Sequence, residues 1–126
     1  MANKVQARAS GRLTTHVLDT ASGKPAAGME ITLCAVEGDA RRPIKTITTN
    51  ADGRCSEPLL AGPALDSGTY ELVFHVASYF RAHGVALADP PFLDAVPIRF
   101  AVADPSAHYH VPLLIAPYGY STYRGS

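Results

Sequence analysis

A few polar side chains in this sequence are of the types that move protons or hold anions. They are three histidines and two arginines, namely His16, His108, His110, Arg54 and Arg124. An imidazole with a pKa near 6.5 suits proton transfer at neutral pH, and a guanidinium offers paired donors to anionic oxygens. Two imidazoles with guanidinium groups could therefore deprotonate a water, polarise a carbonyl and protonate a leaving nitrogen.

Each of these residues also has an ordinary structural interpretation. A single histidine on a strand is commonly a surface group or a hydrogen-bonded core group, and Arg54 alone could be a solvated loop charge. The pair in "HYH" (108–110) could bind zinc, although no third ligand is evident. We interpret His75 and His83 as structural or surface groups. The residue types and their spacing alone therefore name no reaction.

The elements that would position these side chains are short strands. Strands are predicted at 12–19, 29–36, 43–50, 69–76, 96–104, 108–117 and 120–123, and a short helix at 77–84 that ends on a glycine. Residues two apart share one face of a strand, so His108 and His110 should point the same way. Ten prolines and ten glycines separate the segments. This pattern predicts an all-β fold, an antiparallel β-sandwich of seven or eight strands with one helix.

Composition excludes several classes of protein. Lys plus Arg and Asp plus Glu are both 11 in 126 residues, which argues against nucleic-acid binding and makes self-association easier. The longest apolar run, near "VPLLIAP", is far too short for a membrane span. Residues 1–11 are predicted to be a flexible leader without a secretory signal. Cys34 and Cys55 fit no metal or redox spacing, so we expect free thiols and a cytoplasmic location.

Four segments resemble the signatures of one family with a transthyretin-like fold, the 5-hydroxyisourate hydrolases. They are "LTTHVLD" (13–19), "DGR" (52–54), "HYHVPLL" (108–114) and "YRGS" (123–126). The stretches between them are also similar, so the resemblance runs from about residue 12 to the last residue. It implies one hydrolase domain over 12–126 with the transthyretin-like β-sandwich.

The resemblance implies an enzyme of urate catabolism. Such enzymes hydrolyse 5-hydroxyisourate to 2-oxo-4-hydroxy-4-carboxy-5-ureidoimidazoline without a metal or other cofactor. The implied roles are proton management and water activation by His16 and His110, and substrate and oxyanion binding by Arg54. The tail would close the pocket through Tyr123, Arg124 and Ser126, whose terminal carboxylate would orient a histidine. The resemblance also implies a homotetramer in which several chains line each pocket.

Two non-enzymatic interpretations compete with this one. A transthyretin-like carrier of a small aromatic ligand would share the scaffold, but transthyretin has lysine at the position of His16, threonine at that of His110, and no "YRGS". A structural or adhesion-type sandwich predicts neither a pocket nor clustered histidines. The four motifs favour the hydrolase.

Overall fold

The computed structural model describes residues 11–125, which form two packed sheets and one α-helix. The strands are β1 (Arg12–Asp19), β2 (Lys24–Pro25), β3 (Glu30–Glu37), β4 (Ala40–Thr48), β5 (Leu60–Ala61), β6 (Gly68–Phe74), β7 (Val96–Val102), β8 (His108–Ala116) and β9 (Gly119–Thr122). A 3₁₀ turn at Gly62–Ala64 precedes β6, and helix α1 (Val76–Ala82) follows it. The predicted all-β sandwich is confirmed.

The two sheets carry different parts of the chain. One sheet has the order β2-β1-β8-β9, with β5 also paired to β1, and the other has the order β4-β3-β6-β7. All pairings in the second sheet are antiparallel, whereas β1 and β8 run parallel. Sequence patterns do not show this one parallel pairing, because the alternation of a strand says nothing about its partner's direction.

Alternating apolar residues of both sheets fill the space between them. Leu13 and Val17 of β1, Leu113 of β8 and Leu72 and Phe74 of β6 are all fully buried. The opposite face is polar along the first halves of β1 and β8, where it carries partly buried threonine and histidine side chains, and it is apolar further along, at Leu18 and Leu114. This split follows from the two-residue period of a strand, and it leaves the outer face of the β1–β8 sheet available for a polar site.

Several element boundaries differ from the predicted ones. Strand β4 begins at Ala40 instead of residue 43, because Gly38, with a φ of 61°, allows a tight hairpin that pairs Glu37 with Ala40. Its Pro43 is tolerated because β4 is an edge strand. The helix spans Val76–Ala82 instead of 77–84. The two-residue strands β2 and β5 were not predicted, since they are too short to show alternation.

Helix α1 is attached to the end of β1 by a buried carboxylate. The Tyr79 hydroxyl donates to Oδ2 of Asp19 at 2.9 Å, and Oδ1 of Asp19 accepts the backbone N–H groups of Ala21 and Ser22 at 2.9 and 3.1 Å. Burial and the neighbouring Asp19 raise the pKa of Tyr79 to about 12. The hydrogen bond between Tyr79 and Asp19 therefore holds the helix against the turn that follows β1.

The structure bears on the predictions about the N-terminal leader, the two cysteines and membrane spans only for the residues that it describes. Residues 1–10 of the predicted leader lie outside the described residues, while Gly11 is buried and accepts a hydrogen bond from the Gly62 N–H at 2.8 Å. Cys34 and Cys55 are free thiols. No helix within residues 11–125 is long and apolar enough to cross a membrane.

Candidate active site

The parallel pairing of β1 with β8 collects histidines on one sheet face. In this register Arg12 lies opposite His108 and Thr14 lies opposite His110. His16 follows Thr14 by two residues on β1 and lies opposite Pro112. Alternate residues share a face, so these side chains all lie on the outer side of the sheet. The two strands are distant in the sequence, and their polar outer residues form one continuous surface.

Arg54 reaches this surface through the turn at 50–54. The Asn50 side-chain oxygen accepts the Arg54 N–H at 3.2 Å, and the Asn50 N–H donates to the Arg54 carbonyl at 2.8 Å. Gly53 has a φ of 72°, and a side chain there would collide with the Val17 carbonyl. The Val17 N–H donates to the Gly53 carbonyl at 2.8 Å, and Arg54 forms a β-bridge with His16. The glycine therefore lets the turn lie directly against β1.

The C-terminal tail is bound to β8. Gly125 forms a β-bridge with His110, and its N–H donates to the His110 carbonyl at 2.8 Å. A Cβ at Gly125 would lie 2.5 Å from Cδ2 of His110, so no other residue type fits without a shift. The tail thus packs directly on the His110 ring.

The two tail side chains that precede Gly125 lie in different surroundings. The Arg124 guanidinium lies 4.3 Å from the centre of the Tyr109 ring, and its Nη2 donates to the His108 carbonyl at 3.4 Å. Tyr123 is 60% exposed. Ser126 lies outside the described residues. Arg124 is therefore anchored along β8 within this chain.

An open cleft of about 440 Å³ lies on this face. Its lining includes Arg12, Thr14, Arg54, Cys55, His108 and His110. His16 is adjacent to Arg54 through the β-bridge and is not among the lining residues; Tyr123 and Arg124 are not among them either. The structure therefore brings Arg54 and His110 into one cleft, with His16 beside them. Burial raises the pKa of the Cys55 thiol, a shift that Lys45 partly offsets, so this residue is a poor thiolate nucleophile.

Sequence reasoning missed Thr14. Its hydroxyl oxygen lies 2.8 Å from Nε2 of His108 and 2.8 Å from Nδ1 of His110. The alternation of β1 does place Thr14 on the face of His16, but only the parallel register brings it between the two histidines of β8. The same contacts draw His108 into the site.

All three imidazoles favour the neutral form. Burial, followed by the positive charge of Arg54, lowers the pKa of His16, while a backbone hydrogen bond with Asp52 acts in the opposite direction. Burial is also the main cause of the lowered pKa of His110, with further contributions from Arg54, His108 and His16. Burial and then Arg12 lower the pKa of His108. Neutral imidazoles beside a guanidinium can accept protons at neutral pH.

The described residues offer little for a metal. No three His, Cys, Asp or Glu side chains within residues 11–125 gather into a group that could hold a metal ion. The third ligand that a zinc site at "HYH" would need was not evident in the sequence, and none is found in this range. The chemistry that the arrangement supports is proton transfer with oxyanion stabilisation.

Comparison with known proteins points in the same direction. The family model described as "HIUase/Transthyretin family" matches residues 13–125. The 5-hydroxyisourate hydrolase 2 of Rhizobium meliloti strain 1021 is 63% identical over 93% of this chain and 98% of its own length. A solved (S)-allantoin synthase is 43% identical with a TM-score of 0.88, covering 94% of this chain and 44% of that one. The Klebsiella pneumoniae 5-hydroxyisourate hydrolase structure is 36% identical with a TM-score of 0.75, covering 91% and 99%.

Proposed function

The chain belongs to the HIUase/transthyretin family and is an enzyme that hydrolyses 5-hydroxyisourate, and we propose that the histidine cleft on the outer β1–β8 face carries out the reaction. The observation that carries this proposal is the meeting of neutral imidazoles with Arg54 in one cleft. Such a set fits the hydrolysis of a cyclic amide and is not needed by a carrier of apolar rings.

In the proposed reaction, a water attacks a ring carbonyl of the substrate. His16 and His110 activate this water, since the lowered pKa of each imidazole favours the neutral form, which can accept a proton. Arg54 lies beside both histidines and binds the substrate's oxygens, so that its charge stabilises the oxyanion of the tetrahedral intermediate. The carbon–nitrogen bond then breaks, and the departing nitrogen takes up the proton that the water lost. No metal enters this scheme.

The tail is proposed to complete the pocket. Tyr123 and Arg124 would fix the orientation of the substrate, and Ser126, with its terminal carboxylate, would orient a histidine. The bond from Gly125 to the His110 carbonyl supports this role, because it ties the residue before Ser126 to a proposed catalytic strand. In the single chain Arg124 lies over Tyr109, so its contact with substrate would require a different rotamer or a neighbouring copy.

A homotetramer with shared pockets is also part of the proposal. Phe92 and Tyr118 are each 70% exposed, with ring centres 5.7 Å apart, and Tyr120 is 47% exposed. Exposed aromatic surface of this kind favours burial against another copy. The cleft lies open on a sheet face, which a second copy could cover. Sedimentation of the wild-type chain should give a tetramer, and a fully active monomer would contradict the shared pocket.

We also propose a cytoplasmic location. The two thiols are free, with Cys34 buried and Cys55 partly buried. Unpaired cysteines are usual in a reducing compartment. Fractionation of the native host, followed by immunodetection, would test this part of the proposal.

The central test is an assay with freshly generated 5-hydroxyisourate. Its ultraviolet absorbance should decay faster with the wild-type chain, and kcat should fall by about 10²- to 10⁴-fold in His16→Asn and His110→Asn. His75→Asn is the matched control, because His75 contacts Thr32 on the other sheet. Near-normal hydrolysis by both site variants would exclude the assigned roles.

A further inference from the structure

The Thr14 hydroxyl has a constrained position between two imidazoles. It is 2.8 Å from Nε2 of His108 and 2.8 Å from Nδ1 of His110, and all three groups are partly buried. A hydroxyl carries one proton, so it can donate to only one of these nitrogens. The other contact is a hydrogen bond only if that ring nitrogen carries a proton and donates to the Thr14 oxygen.

The two histidines must therefore hold complementary protonation states at this junction. In one state Thr14 donates to His108, Nδ1–H of His110 donates to Thr14, and Nε2 of His110 has a free lone pair. In the other state Nε2–H of His108 donates to Thr14, which donates to Nδ1 of His110, and Nε2 of His110 carries the proton. The first state makes His110 a base, and the second makes it an acid.

We propose that Thr14 and His108 form a proton relay with His110, which lets His110 accept the proton of the attacking water and return it to the leaving nitrogen. This inference rests on the proposed function and adds two residues to it. Thr14 acts through His110 and is a positioning and relay residue, while His108 stores the proton between the two steps.

The relay conserves protons at every step. As the oxygen–carbon bond forms, the water's proton moves to Nε2 of His110, the Nδ1 proton moves to Thr14, and the Thr14 proton moves to Nε2 of His108. As the carbon–nitrogen bond breaks, His110 gives its Nε2 proton to the leaving nitrogen. Thr14 then protonates Nδ1 of His110, and His108 reprotonates Thr14. The starting state is restored without an external acid.

The surrounding charges favour storage of the proton on His108. A cationic His110 is opposed by Arg54 and by the neighbouring His16, whereas Arg12 is the charged neighbour that opposes a cationic His108. The charged and titratable groups around the relay come from three parts of the chain. They are Arg12 and His16 from β1, Arg54, Cys55 and Glu57 from the segment 54–58 that lines the cleft, and Arg124 from the tail. Moving the positive charge from His110 to His108 takes it away from Arg54, the group that must hold the substrate.

The test compares Thr14→Val, Thr14→Ser and His108→Gln with Thr32→Val. Thr32 is a matched control because its hydroxyl also contacts a histidine, at 3.1 Å from Nε2 of His75 on the other sheet. We expect Thr14→Val and His108→Gln each to lower kcat by about 10-fold or more with little change in KM, since a relay serves proton transfer and not binding. Their double variant should lose no more than either single one. Thr14→Ser should restore the rate.

Two further measurements separate a relay from a structural role. The ¹⁵N shifts of the imidazoles in the resting wild type should show the same tautomer in both rings, with the proton on Nδ1, because the nitrogens that face Thr14 are Nε2 of His108 and Nδ1 of His110. This match should disappear in Thr14→Val. The wild-type rate in mixtures of H₂O and D₂O should indicate more than one proton in flight, and that of Thr14→Val should indicate one.

The outcomes distinguish the two levels of the proposal. If the wild type does not accelerate the decay of 5-hydroxyisourate, the proposed function itself fails. If the wild type is active but Thr14→Val keeps its kcat, or the imidazole shifts show opposite tautomers in neutral His108 and His110, the relay is excluded and the cleft assignment stands. A loss in Thr14→Val that Thr14→Ser does not restore also overturns the relay.

Discussion

Substitution of Gly125 by alanine should slow the reaction, because it adds a methyl group against the His110 ring. A Cβ at this position would lie 2.5 Å from Cδ2, 3.1 Å from Cγ and 3.2 Å from Cβ of His110. Ordinary van der Waals contact begins at about 3.4 Å. The backbone of Gly125 is not in the left-handed region, so alanine could adopt its conformation, and the obstacle that the structure shows is the collision with the His110 ring.

The size of the effect follows from the displacement. Separating Cβ from Cδ2 to 3.4 Å requires a movement of about 0.9 Å by the ring, the tail or both. The tail is held by the bond to the His110 carbonyl, and the ring by the bond to Thr14, so either movement breaks a contact of the site. A misplacement of about 1 Å can cost about 10²-fold in rate, and we expect kcat to fall by about 10- to 100-fold.

Gly119→Ala provides the control for this experiment. Gly119 lies in β9 of the same tail, has no positive φ, and a Cβ there would meet no atom within 4 Å. Both variants would be assayed with fresh 5-hydroxyisourate, with thermal unfolding to confirm the fold. If Gly125→Ala and Gly119→Ala are equally active, the close approach of the tail to His110 has no part in catalysis.

Three other perturbations have defined outcomes. Burial and Arg54 lower the pKa values of His16 and His110, so the neutral, basic imidazoles persist below pH 6.5. The plot of kcat/KM against pH should therefore fall only as the pH decreases through these lowered pKa values. A fall in kcat/KM that begins above pH 6.5 on acidification would contradict this. Arg54→Lys keeps the charge but loses the paired donors, and we expect kcat/KM to fall by at least about 10-fold, with unchanged kinetics as the opposing result. Tyr79→Phe leaves Oδ2 of Asp19 without its phenol donor, which should lower the free energy of unfolding in urea by about 1–3 kcal/mol. The rate of hydrolysis should stay normal. An unchanged free energy of unfolding would show that this hydrogen bond contributes no net stability.

The local elements could be predicted from the sequence because the residues of a strand that face the core alternate with those that face solvent. β1 was predicted at its observed bounds, and His108 and His110 do share a face. The segment "DGR" (52–54), one of the four segments that carry the family resemblance, contains Gly53, which is required by its φ and by the close Val17 carbonyl. These features depend on neighbours in the chain, which a sequence displays directly.

The features of the site that the sequence did not predict all depend on pairing between distant segments of the chain. The parallel register that puts Thr14 between His108 and His110 joins residues about a hundred positions apart, and no local pattern encodes it. The contact of Gly125 with the His110 ring is of the same kind. The anchoring of Arg124 over Tyr109 likewise required the structure.

The parallel pairing of β1 with β8 also bears on the order of folding. β3 and β4 are joined by the tight turn at Gly38 and can pair early, whereas Thr14 and His110 are 96 residues apart. Closing such a long loop is entropically costly, so contacts of this kind form slowly. We therefore expect the cleft to be assembled after the β3–β4 hairpin during refolding. Since the chain has no tryptophan, recovery of hydrolysis would be a sensitive measure of when the two ends of the domain have met and the copies that share a pocket have assembled.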